Sequence, residues 1–208
     1  HGHTALHNPP AGYSLQIGNG ATIAAYTQIP VVTDFRSLDV ALGGQGATLE
    51  PIGDQLLFAE YDFCLNLGGF SNISYRENRQ RIAFDICPVN KAINLLAERA
   101  GKQMDHDGAL ARSGQAIPEL LDSLNRLEYY RLPNPKSLGD NWFYNSFMPV
   151  LQQFKDHPPA NLLKTLYQHI GIQISASTRH KHGGNVLVTG GRAHNTYLME
   201  SIEADTSH

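Results

Sequence analysis

Residues 61–97 read YDFCLNLGGFSNISYRENRQRIAFDICPVNKAINLLA. Short apolar runs over 61–67, 72–75 and 81–86 are typical of β-strands, and glycines or polar residues separate them. Asn90 is a plausible N-cap for a following helix, since its side chain can accept a hydrogen bond from the first turn. This stretch predicts a strand hairpin, a third strand and a helix.

The rest of the C-terminal sequence alternates helical patterns with one more strand. Strand hairpins followed by helices and a returning strand predict α/β layers around a mixed sheet with flanking helices. The expected elements are helices beginning at Pro118, over 142–154 with an interruption at Pro149, over 161–180 and near Thr196, and a strand over 185–188.

The N-terminal part predicts a strand over 13–17, helical turns over 21–27 and a buried, valine-rich strand over 30–35. That last run ends in Arg36, Asp39 and a glycine-rich loop. An apolar strand that delivers an arginine and a carboxylate beside glycines favours a site that holds a polar small molecule against backbone.

Composition excludes several classes of function. The 208 residues carry a net charge of −3 and no basic run, which excludes a nucleic-acid partner. No apolar stretch approaches the roughly 20 residues that a membrane helix needs, and no signal-peptide pattern occurs. Cys64 and Cys87 lie in apolar runs, as expected of reduced thiols in a cytoplasmic protein.

The histidines do not predict a metal site. They form two groups, but neither group has a carboxylate or cysteine at ligand spacing, so we assign no metal to protein side chains. The two groups are His1, His3 and His7, and His180 with His182.

Three glycine- or carboxylate-containing turns carry possible chemistry. Gly68 and Gly69 let backbone amides approach an anion, although these residues by themselves favour a plain tight turn. Asp85 ends a strand just before a helix, where α/β proteins place catalytic groups and where a helix start can hold phosphate, and a simple turn or cap is the alternative.

The third turn is Gly190-Gly191-Arg192-Ala193-His194-Asn195. A strand that runs into glycines and then a helix commonly seats a nucleotide. Arg192 could clash with a nucleotide there or reach its phosphates.

In their order along the chain, these motifs resemble those of the anhydro-N-acetylmuramic acid kinases, members of the actin, Hsp70 and sugar kinase superfamily. The stretch 32–47 matches that family nearly letter for letter. The resemblance implies that Asp85 is the general base and that sugar is bound by His1, Thr4, Arg36 and Asp39. It further implies that phosphate and nucleotide are bound by Gly68, Gly69, Asn90, Gly190, Gly191 and Asn195.

The family resemblance implies an incomplete actin-like (ribonuclease H-like) ATPase fold. Residues 1–60 would form the C-terminal, substrate-binding part of a first lobe, and residues 61–208 most of a second lobe. It implies ATP and Mg²⁺ as cofactors, an amino-sugar substrate and a homodimer. The implied reaction opens 1,6-anhydro-N-acetylmuramic acid with water and phosphorylates O6, in peptidoglycan recycling. The family's N-terminal phosphate loop has no counterpart here, so we expect a fragment that is inactive alone.

Several positions depart from the family pattern, and they leave other functions open. Ile86, Cys87, Val89, Arg192 and Asp140 replace family residues. These changes are consistent with a homologue that binds the sugar without catalysis. The residues Thr48, Glu50 and Asp140 also depart from the family pattern, and they are consistent with a kinase of another sugar. A metal hydrolase that uses the histidines is a weaker alternative.

Overall fold

The computed structural model describes residues 4–46, 50–179 and 183–206. It divides into two compact units, residues 1–50 and 51–208. This division falls ten residues before the lobe boundary expected after residue 60, and the lobe assignment itself stays a prediction.

Unit 1 is a small β-hairpin with two helices. Strands β1 (Thr4–Asn8) and β2 (Tyr13–Gln16) pair antiparallel. Helix α1 (Gly20–Thr27) begins after Asn19, whose side chain accepts a hydrogen bond from the amide of Thr22. Helix α2 (Phe35–Ala41) follows an irregular segment.

The strand predicted over 30–35 is wrong. Residues 28–34 form no regular element, and α2 begins at Phe35. Gln28 and Asp34 adopt positive φ angles of 58° and 68°. These angles lie outside the β region, so a strand cannot continue through either residue. Val32 is 77% exposed, so the valines of this run do not form the buried strand that they suggested.

Unit 2 is built on a four-stranded mixed sheet. Its strands lie in the order β5-β4-β3-β6, with β4 antiparallel to both neighbours and β6 parallel to β3. The predicted hairpin, third strand and returning strand are confirmed. The strands are β3 (Phe63–Leu67), β4 (Phe70–Glu77), β5 (Gln80–Pro88) and β6 (Val186–Thr189).

Helices flank this sheet, and the α/β class with a mixed sheet and flanking helices is confirmed. The helices are α3 (Pro51–Leu57), α4 (Asn90–Arg99), α5 (Ala109–Ser113), α6 (Pro118–Asn125), α7 (Asp140–Trp142), α8 (Met148–Gln153), α9 (Pro159–Thr178) and α10 (Thr196–Asp205). Among the described residues, no helix combines the length and the apolar character needed to cross a membrane.

Two local helix predictions need correction. The chain stays helical through Pro149 instead of breaking there, because Pro149 lies in the first turn of α8, where a proline's missing N–H costs little. A π-helical segment, Phe143–Phe147, joins α7 to α8. Asn90 was predicted as the N-cap of the helix, but it is the first residue of α4, and Val89 occupies the N-cap position.

The core lies between one face of the sheet and α9. Leu65, Ile73 and Phe84 occupy one cross-strand row, and they belong to the same buried cluster as Leu166 and Ile170 of α9. Burial of these side chains is the main favourable term that holds the helices on the sheet.

His169 of α9 lies fully buried in this core. Its ring nitrogens lie 2.7 Å from Asn125 Oδ1 and 2.9 Å from the Tyr130 hydroxyl oxygen. Burial lowers the pKa of His169 to about 3, because the charged ring would lose its hydration. The folded protein therefore keeps this imidazole neutral.

We expect acid to destabilise unit 2 through His169. The unfolded chain binds a proton as the pH falls below about 6.5, whereas the folded one does not, so stability is lost as pH falls from 7 to 5. The loss is on the order of 2 kcal/mol. Urea unfolding at pH 7 and pH 5 measures it, and His169→Gln should show a weaker pH dependence. An equal dependence in both proteins would contradict this assignment.

Candidate functional site

The predicted phosphate and nucleotide turns lie at one end of the sheet. Strands β3, β5 and β6 run in the same direction, so their carboxyl ends, which lead into Gly68-Gly69, α4 and Gly190-Gly191, share that end. Two glycine-containing turns and a helix start thus converge in the place where α/β proteins bind ligands.

Gly190 permits the closest approach between these turns. It has a φ of +90°, and a methyl group on its Cα would lie 2.6 Å from Asn66 Oδ1 and 2.7 Å from the carbonyl of Leu67. A side chain at Gly191, by contrast, would meet nothing within 4 Å. Gly190 is therefore fixed by packing, whereas Gly191 leaves space on its open side.

The hairpin turn also caps helix α4. The amides of Asn90 and Val89 donate to the carbonyl oxygens of Gly68 (3.1 Å) and Gly69 (2.9 Å), and the amide of Lys91 donates to Gly69 O (3.2 Å). The expectation that this helix start offers its first amides to a phosphate is wrong for these three groups. Asn90 stays a predicted ligand-binding residue through its side chain alone.

A polar row crosses the sheet at the base of this end. Thr189, Asn66, Asn72 and Asp85 are cross-strand neighbours on β6, β3, β4 and β5. Residues paired in this way project to the same face, and the apolar row of Leu65 occupies the other. Sequence reasoning missed Asn72 and Thr189, because only the strand register aligns them with Asp85.

Asp85 is 6% exposed, and residues that lie along the outer side of β5 form hydrogen bonds with it. Its carboxylate Oδ2 accepts a hydrogen bond from the amide of Leu138 at 2.7 Å. Its own amide donates to Lys136 O at 3.0 Å, and its carbonyl oxygen accepts from the hydroxyl of Tyr129 at 2.5 Å. The segment 129–138 thus fixes both the backbone and the side chain of this acid.

A cleft of about 280 Å³ opens beside the turn after β6. It brings together three predicted nucleotide residues, Asn90, Gly191 and Asn195, but Asp85 does not line it. The other lining residues are Asn94, Met104, Asp105, His106, Asp107, Arg192 and His194. Asn94 was missed by sequence reasoning, although the i, i+4 spacing of Asn90 and Asn94 signals a shared helix face.

The guanidinium of Arg192 forms part of the cleft wall and does not extend into the cleft or into solvent. The residue as a whole is 7% exposed. Nε donates to Asn90 Oδ1, Nη2 to Asn94 Oδ1 (2.5 Å) and Nη1 to Asp105 O (3.0 Å). The guanidinium takes the side-chain oxygens of both asparagines, and the Asn90 NH₂ group also donates to Leu67 O at 3.5 Å. Since an amide NH₂ carries two hydrogens, the Asn90 group keeps a second donor for other contacts.

Asn195 and Asp105 have structural contacts that explain their burial. The Asn195 side chain accepts from the amide of Leu198 at 2.9 Å and donates to Tyr167 Oη at 3.0 Å. The Asp105 carboxylate caps α5 through the amides of Leu110 (2.8 Å) and Ala111 (3.2 Å). The nucleotide-binding role predicted for Asn195 therefore stays a prediction beside a clear capping role.

Unit 1 brings together two of the predicted sugar-binding residues. Arg36 Nη1 donates to Thr4 Oγ1 at 2.8 Å, and the buried Arg36 Nε has no hydrogen-bond partner. The Asp39 carboxylate accepts from the amide of Gly46 at 2.7 Å and so holds the glycine loop. His1 lies outside the described residues.

Among the described residues, no three histidine, cysteine or acidic side chains gather as a metal site would require. His3, His180 and His182, which the sequence analysis weighs as ligands, lie outside those residues.

We expect Gly190→Ala to destabilise the protein by about 2 kcal/mol or more, because an alanine there is strained at positive φ and collides with β3. Gly191→Ala is the matched control, and it should change stability by less than about 0.5 kcal/mol. Thermal unfolding of both variants measures the difference. Equal unfolding temperatures would rule out this close approach.

We expect Arg192→Leu to lower the free energy of unfolding by about 3 kcal/mol, because the side-chain oxygens of Asn90 and Asn94 lose their donor and Asp105 O loses one of its two donors in a largely buried place. Arg126→Leu breaks only an exposed pair with Asp122 on α6 and should cost less than about 0.5 kcal/mol. Urea unfolding compares the two. A loss at Arg192 no larger than at Arg126 would exclude the bridging role.

Comparison with known proteins identifies relatives along the whole chain. The family model described as anhydro-N-acetylmuramic acid kinase matches residues 1–207. Curated proteins of that name from Aliivibrio fischeri and Pseudomonas syringae pv. tomato are each 38% identical, over 98% and 97% of this chain. The chain spans 58% of the length of each of these relatives.

Solved structures give weaker likenesses. The activator of the 2-hydroxyisocaproyl-CoA dehydratase from Clostridium difficile, with bound ADPNP, has a TM-score of 0.46 at 12% identity, over 74% of this chain and 54% of that one. Component A of the Acidaminococcus fermentans (R)-2-hydroxyglutaryl-CoA dehydratase has a TM-score of 0.41 at 15% identity, over 74% and 56%. Both scores lie below 0.5, so neither likeness bears on the function of this chain.

The sequence relationship decides the family. A model match over nearly all residues and identities of 38% over nearly the whole chain are independent of the structural likenesses. The described residues form an α/β structure with a mixed sheet and flanking helices. The chain belongs to the anhydro-N-acetylmuramic acid kinase family.

Proposed function

We propose that this chain is part of an ATP-dependent kinase that converts 1,6-anhydro-N-acetylmuramic acid to N-acetylmuramic acid 6-phosphate. The observation that carries the proposal is the family match over residues 1–207. The buried Asp85 supports it, because its carboxylate lies in a polar row on the sheet face away from the core. As a peptidoglycan-recycling enzyme, the protein would work in the cytoplasm on a small amino sugar, and we expect a homodimer.

In this mechanism Asp85 takes a proton from a water that attacks the anomeric carbon. General bases of this kind must lie within about 3 Å of the proton they remove. The bond between the anomeric carbon and the sugar 6-oxygen breaks, and this oxygen attacks the γ-phosphate of ATP, whose bond to the β,γ-bridging oxygen breaks so that ADP leaves. Phosphoryl transfer depends mainly on positioning and charge neutralisation, so the turns at Gly68-Gly69 and Gly190-Gly191 would hold the nucleotide.

The cleft beside Gly191 fits part of a nucleotide. Its asparagine amides supply donors, and a neighbouring hollow of about 510 Å³ shares Asp107 with it. Mg²⁺ usually takes one or two carboxylates and keeps phosphate and water oxygens as its other ligands. A divalent ion carried by the phosphates is therefore compatible with the described residues without a dedicated cluster. Asp107, whose Oδ2 lies 2.9 Å from His106 Nδ1, is the carboxylate that would hold it in this proposal.

Sugar recognition would come from unit 1. Arg36 has a buried Nε without a partner, and its guanidinium is suited to the lactyl carboxylate of a muramic acid, which it can pair bidentately. Thr4 holds the other side of that guanidinium, and Asp39 shapes the adjoining loop.

The direct test supplies Mg-ATP, the anhydro sugar and ¹⁸O-labelled water to the longest natural polypeptide that contains this chain. We expect a product that has gained one phosphate and one labelled oxygen, as measured by mass spectrometry. A phosphorylated product without the label would exclude the coupled hydrolysis. No product from folded protein would favour a binding protein or another sugar.

We expect Asp85→Asn to lower kcat by about 10³-fold, the range found when a general base is removed. The asparagine oxygen can still accept from the Leu138 amide, so the protein should stay folded. Asp122→Asn, an exposed change on α6, is the matched control and should keep full activity. Retained turnover in Asp85→Asn would remove Asp85 from the mechanism.

A further inference from the structure

The contacts of Asp85 come from one segment of the chain. Strand β5 is the edge strand of the sheet, and within residues 4–46, 50–179 and 183–206 no further strand pairs with its outer side. Segment 129–138 takes that place, and it binds Asp85 at its amide, its carbonyl oxygen and its carboxylate. Three hydrogen bonds from one loop leave this residue little freedom in either backbone or side chain.

Tyr129 is the side chain through which the segment makes one of these bonds. Its ring is buried and packs at 5.2 Å from Trp142 and 5.8 Å from Tyr130. The ammonium of Lys136 lies 4.7 Å from the centre of the Tyr129 ring and donates to Tyr129 O at 3.1 Å. Burial raises the pKa of Tyr129, which keeps the hydroxyl protonated as a donor.

We propose that Tyr129 is a positioning residue, which holds the backbone of Asp85 so that the carboxylate keeps a fixed place and direction in the active site. The inference rests on the proposed role of Asp85 as general base. A hydroxyl that anchored only the fold would contribute to stability and not to turnover. A hydroxyl that places a base contributes to kcat, since a displacement of about 1 Å can cost roughly 10²-fold.

The neighbouring tyrosine provides a matched control. The Tyr130 hydroxyl also makes a hydrogen bond inside the protein, but its partner is His169 Nε2 at 2.9 Å. Tyr129→Phe and Tyr130→Phe therefore each remove one hydroxyl at adjacent positions, and only the first removes a contact with Asp85.

The experiment compares these two variants with wild type in the longest natural polypeptide that contains this chain. Steady-state assays give kcat and the KM values for ATP and the anhydro sugar, and thermal unfolding gives Tm. We expect Tyr129→Phe to lower kcat by tenfold to a hundredfold with both KM values within twofold. Tyr130→Phe should lower Tm but leave kcat within twofold.

Equal kcat values for the two phenylalanine variants would overturn the positioning role. If Tyr129→Phe does not fold, Lys136→Met decides the matter, because it removes the ammonium that holds Tyr129 and should also lower kcat. An unchanged kcat there would overturn the proposal. Asp85→Asn separates this failure from that of the proposed function: if it keeps turnover, the base is wrong, whatever Tyr129 does.

Discussion

The parallel pairing of β3 with β6 is the constraint on which the candidate site depends. It joins two strands more than a hundred residues apart and places their glycine turns side by side. Gly190 makes this possible, because only a residue without a side chain fits against Leu67 at its positive φ. Without that contact, the turn after β6 would not reach the hairpin, and the cleft beside it would lose one wall.

A second set of contacts closes the cleft from the side of α4. The hairpin carbonyls of Gly68 and Gly69 cap this helix, and Arg192 ties its first two turns to the segment after β6. A buried guanidinium whose bonds go to neutral oxygens is costly unless every bond is made. The arginine therefore fixes the side chains of Asn90 and Asn94 in the wall of the cleft.

Much of unit 2 could be predicted from the sequence, because its strands and helices follow strong local patterns. The hairpin around Gly68 and the helices that begin at Pro118 and Thr196 are confirmed. The strand predicted over 30–35 is wrong, because apolar composition alone does not show whether a segment is buried, and Asp34 at positive φ ends any extended run. The sequence pointed to the glycine turns, whose binding role stays a prediction. The position of Asn72 depends on strand register and that of Asn94 on Arg192, and neither register nor a distant contact can be read from a local pattern.

Asp85 shows why structural and functional explanations of one residue need not compete. A turn or cap explains an aspartate at a strand end, and its carboxylate does accept the Leu138 amide. Yet one bond to an amide would suffice for that purpose, whereas segment 129–138 also binds the amide and carbonyl of the same residue. An acid held at three points on an edge strand, on the face away from the core, has the fixed geometry that a general base requires. The contacts that make Asp85 structural are the ones that would place it for catalysis.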